Sequence, residues 1–80
     1  MYVALKEYAR TGWIIEDMDA DLATLKARTE ERCKSDHAGL WESEYANRLF
    51  TTLSHAQRRF KITNRHVAEF EAEQQMAAEM

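Results

Sequence analysis

"MYVALKEYARTGW", residues 1–13, decides how the chain is read. On helical spacing, Tyr2, Leu5, Tyr8 and Ala9 fall on one side, and Gly12 stands where a helix ends in a left-handed residue. A strand over "YVAL" is the alternative, but a strand needs partners, and no other stretch reads as one. The expectation is therefore a short helix over about residues 2–10. The same stretch has no basic region followed by a long apolar run, so no secretory leader is expected.

Composition points the same way. The chain has 80 residues, no proline and two glycines, Gly12 and Gly39, and it is rich in Ala, Glu, Leu and Arg. So few breakers predict helix nearly throughout. The hydrophobic fraction of 45% and charged fraction of 31% are ordinary for a folded chain. Eighty residues make one domain at most, with a core small enough that self-association is expected to support it. No apolar run approaches the ~18 residues of a membrane span. A single cysteine, Cys33, cannot form an internal disulfide, which fits a reducing, cytoplasmic setting.

A second helix is expected over about residues 16–36. Asp17, Asp19 and Asp21 crowd its first turns, where carboxylates complement free backbone N–H groups. Met18, Leu22, Leu25 and Thr29 follow on one face, and "SDHAG" ends it. In a third element Tyr45, Leu49, Leu53, Ala56 and Phe60 share a seam that continues in phase through Thr63, Val67 and Phe70. One reading is a single helix over about residues 40–77. The other breaks at "ITN", with Thr63 or Asn64 as cap. The residues three further on are His66 and Val67, so the usual Glu or Gln of a capping box is absent. Phase continuity favours the single helix. The expected fold is all-α: a short N-terminal helix and two longer antiparallel helices, as a helical hairpin or three-helix bundle, within one domain of residues 1–80.

The apolar arc of the third helix is wider than a hairpin needs, with Trp41 and Phe50 at its margins. Either the N-terminal helix covers it, or a second surface does, on another protein or a second copy. Aromatic and Arg residues anchor such interfaces, which singles out Trp41, Tyr45, Arg48 and Phe50.

Charge is blocked. Residues 1–44 carry −4, residues 45–68 carry +5 and residues 69–80 carry −4. The basic block holds "AQRRFKITNRH", residues 56–66, with Arg58, Arg59, Lys61 and Arg65. A helix-turn-helix that grips DNA can be drawn there, yet its second helix would bring Glu69, Glu71 and Glu73 towards phosphates. The competing reading pairs the block with Asp17, Asp19 and Asp21 across an antiparallel hairpin, as an orientation device. A third reading makes it a docking strip for an acidic protein.

Other chemistries lack their parts. Cys33 and His37 share a helix face, but a structural zinc site takes four ligands. Ser54 and His55 are neighbours that point about 100° apart on a helix, so they cannot pair as nucleophile and base. "DADLATLKAR" resembles the first helix of small all-α chorismate mutases, but the arginines and acidic residues of that family's other helices have no counterparts here. No cofactor, metal or enzymatic activity is expected. The expected function is a small protein-binding protein (a regulator, adaptor or inhibitor, the class into which small phage and mobile-element proteins also fall) that acts on another protein or on itself as a homodimer. A DNA-binding regulator using residues 56–66 is the alternative.

Overall fold

Residues 2–19 form a β-hairpin, and this changes the fold class. In the structure, a computed structural model that describes residues 1–79, strand β1 (Tyr2–Tyr8) pairs antiparallel with β2 (Gly12–Asp19). Gly12 has φ +77° and sits at the hairpin turn. The left-handed backbone expected at Gly12 is therefore real, but it serves a β-turn and not a helix end. Trp13, Ile14, Ile15 and Val3 supply the β-branched and aromatic side chains that suit a strand.

The chain continues through α1 (Leu22–His37), a 3-10 turn (Ala38–Leu40), α2 (Trp41–Ala46), β3 (Leu49–Thr52), α3 (Leu53–Arg59) and α4 (Asn64–Glu79). Strand β3 pairs antiparallel with the free edge of β1, giving the order β2-β1-β3. The central strand is covered on both faces: Val3, Ala4 and Leu5 are all fully buried. On one face Val3, Leu5 and Ile15 pack with Ala56 and Ile62, and around them lie Trp13, Leu49, Leu53, Phe60, Val67 and Phe70. Helices α3 and α4 supply that cover. On the other face Ala4 stands between its ladder partners Asp17 and Phe50, beneath α1. Asp21 caps α1 by accepting the Thr24 N–H at 2.9 Å. Leu25, Thr29 and Cys33, four residues apart, form the buried side of α1.

The all-α expectation, with its helical hairpin or bundle, is thus overturned. The helix expected over about residues 2–10 is β1. The one expected over about residues 16–36 begins only at Leu22, because Glu16, Asp17 and Asp19 belong to β2. The long helix expected over about residues 40–77 is divided by β3 and by the turn at residues 60–63. Its seam held phase because Leu49 of β3 and Leu53 of α3 pack into the same core. No helix among the described residues is long and apolar enough to cross a membrane.

Candidate functional site

Two charged clusters lie on opposite sides of the sheet, and only one is closed on itself. The closed one begins with an irregularity in the ladder. Ala4 faces Asp17 while Leu5 faces Ile15, so Glu16 has no partner across the pair. In a regular strand adjacent side chains point to opposite faces. The bulge relaxes that rule, and Glu16 and Asp17 both reach Arg32 of α1, at 3.1 and 2.7 Å. Arg28, one turn earlier, donates to both Asp17 oxygens at 2.7 and 2.9 Å and to Asp19 at 3.0 Å. Burial opposes the charge on Asp17, but the hydrogen bonds from Arg28 and Arg32 outweigh it and hold the carboxyl below its usual range. Arg48 then ties in α2: its side chain is 3% exposed and bonds Glu16 at 2.9 Å and the Glu44 carbonyl at 2.8 Å.

The acidic residues of the first half therefore neutralise Arg28, Arg32 and Arg48. The expected pairing of Asp17 and Asp19 with Arg58, Arg59, Lys61 and Arg65 is absent, and Asp21 is engaged as the cap of α1.

The open cluster is the turn between α3 and α4. Ile62 is 2% exposed and plugs the turn into the core, while its N–H and that of Phe60 both reach the Ala56 carbonyl. The Phe60 ring meets Trp13 edge-on at 5.2 Å. Gln57 bridges to Asn64 at 2.8 Å. Thr63 caps α4 reciprocally: its hydroxyl accepts the His66 N–H at 3.2 Å, and His66 Nδ1 accepts the Thr63 N–H at 2.9 Å. His66 thus does what Glu or Gln does in a capping box, a substitution the sequence pattern did not reveal. Lys61 holds φ +58°, left-handed for a residue with a Cβ, between Phe60, which meets Trp13, and the buried Ile62.

This well-tied turn displays cations. Arg58, Arg59 and Lys61 are exposed, and no carboxylate among the described residues pairs with them. Among the described residues Arg65 pairs only with Glu69, on the same exposed helix face, at 2.9 Å. A groove of about 330 Å³ lies beside them, lined by Trp13, Phe60, Arg59, Lys61 and His66. A larger depression of about 520 Å³ near Lys6, Glu7, Glu44 and Arg48 carries both signs of charge, and Arg48 and Glu44 there are bonded to each other.

The aromatic set is dispersed. Trp41 and Tyr45 lie on α2, Arg48 in the α2–β3 connection and Phe50 on β3. Tyr45 and Phe50 meet at 5.6 Å with their rings tilted by 43°, both half-buried, and Lys34 lies 4.8 Å over the Trp41 ring. A single helix face presenting all four residues does not exist. The Cys33 thiol is buried, and burial pushes its pKa up. Among the described residues no three His, Cys, Asp or Glu side chains converge to hold a metal ion. No family, no curated protein and no solved structure matches the chain.

Proposed function

We propose that the chain is a small, non-enzymatic protein-binding protein that meets an acidic partner surface through Arg58, Arg59, Lys61 and Arg65, with Trp13 and Phe60 as the apolar floor beside them. One observation carries this reading: three cations with which no carboxylate among the described residues pairs stand on a turn locked by Ile62, Gln57 and Thr63. A rigid display lowers the ordering cost of binding, and complementary charge sets orientation and on-rate. Trp41, Tyr45 and Phe50, half-buried on the α1 side of the sheet, are at most a separate contact. The packed thiol of Cys33 supports a reducing, cytoplasmic setting.

The helix–turn–helix geometry of α3 and α4 favours DNA as a second reading. Glu69 and Glu71, exposed on the would-be recognition helix, weigh against it. The test is a titration with a labelled Glu-rich peptide and with a short duplex DNA, using the native chain and an R58E/R59E/K61E variant. The proposal expects peptide binding that falls by about tenfold or more in the variant. Tight, salt-sensitive duplex binding with no peptide binding would replace it with the DNA reading.

A further inference from the structure

Helix α4 carries its charge in the wrong direction for a lone helix. A helix favours acidic groups at its N-terminus and basic ones at its C-terminus. Among the described residues α4 has no acidic group in its first turn and no basic group in its last. It opens with Arg65, beside Lys61, and carries Glu69, Glu71 and Glu73 further along. Its support is also one-ended. Val67 and Phe70 pack on the sheet, but every residue from Glu71 to Ala77 is exposed, Met76 at 65%. On the side turned away from Val67 and Phe70, Arg65, Ala68, Ala72 and Met76 follow one another at helical spacing. Short helices without a packed face are marginal in water.

An antiparallel neighbour of the same kind removes both faults. It sets acidic residues against Arg65, Lys61, Arg59 and Arg58, and it opposes the two helix dipoles. We propose that the acidic surface met by the basic turn is α4 of a second copy, so that two chains pair antiparallel through α4 across a two-fold axis. Each basic turn then contacts the partner's acidic half-helix, and the pair is self-complementary, as a two-fold interface requires. This rests on the protein-binding reading of the turn and names its partner. Two 16-residue helices form a contact in the small, transient size class, so the dimer is expected to dissociate on dilution.

The test is sedimentation of the full chain over a wide concentration range, at low and high salt. The expected result is a monomer–dimer equilibrium whose Kd rises about tenfold or more with added salt. R58E/R59E/R65E and E69R/E73R, the latter changing two carboxylates one turn apart on the His66 side of α4, are each expected to be monomeric, and an equimolar mixture of the two to form a dimer, because every contact in the mixed pair is complementary again. That rescue also excludes misfolding as the cause of dissociation. A monomer at all concentrations, a dimer indifferent to salt and to both variants, or a mixture that stays monomeric would each overturn the proposal. If the monomeric native chain still binds the Glu-rich peptide through Arg58, Arg59 and Lys61, the protein-binding reading stands and only the second copy is removed; if neither is observed, both fail.

Discussion

Ala4→Leu separates the sheet from the helix that the sequence invites. In a helix over residues 2–10, Ala4 lies at the margin of the stripe of Tyr2, Leu5, Tyr8 and Ala9, one turn before Tyr8, where a leucine is tolerated within ~0.5 kcal/mol. In the structure Ala4 is 0% exposed, on the central strand between Asp17 and Phe50 and beneath α1. Three added carbons have no free space there, and overpacking of this kind costs about 1–3 kcal/mol. For a domain of this size each kcal/mol lowers Tm by roughly 4–8 °C, so the expected drop is about 4–24 °C. The companion change is Tyr8→Lys. Tyr8 would face the core of a helical bundle, but it is 42% exposed here, so little beyond its contact with Lys6 is lost. Thermal unfolding followed by circular dichroism reads both. An Ala4→Leu variant that melts like the native chain, with a Tyr8→Lys variant that does not fold, would refute the sheet.

Two further predictions concern the charged and capping groups. The Asp17 carboxyl is held below its ordinary value in the folded state, so the stability it contributes is complete above about pH 4 and is lost as pH falls through the folded-state value. Urea midpoints at pH 7 and pH 3 should therefore differ less in Asp17→Asn than in the native chain, and an equal loss in both would exclude the Arg28–Asp17–Arg32 cluster as the cause. His66→Ala removes the acceptor for the Thr63 N–H and should cost about 0.5–2 kcal/mol, whereas His66→Gln should keep most of that stability; equal urea midpoints for the two variants would show that the cap has no role.

What the sequence hides is physically specific. Strand β1 does not alternate because both of its faces are covered, so Val3, Ala4 and Leu5 are all buried and their run also fits a helix. The partners of β1 were masked as well: "GWIIEDMD" reads as an acidic helix start, because nothing local distinguishes carboxylates that neutralise Arg28 and Arg32 from carboxylates at a helix N-terminus. What depends on local spacing is legible. Leu25 and Thr29 do form the inward side of α1. Ala56 and Phe60 do belong to the core, and a break at Thr63 was one of the two readings of that segment. The basic turn is visible as a charge block, but its freedom is not. That follows from Glu16, Asp17, Asp19 and Glu44 being engaged elsewhere, a fact of the tertiary structure alone.

The display of the basic turn depends on the three-stranded sheet beneath it, and cross-strand nuclear Overhauser effects test that sheet most directly. The account predicts backbone contacts from Val3 to both Met18 and Thr51, its partners on the two sides of β1. Contacts from Tyr2 to Leu5 and from Leu5 to Tyr8, with none from Val3 to Met18 or Thr51, would contradict it.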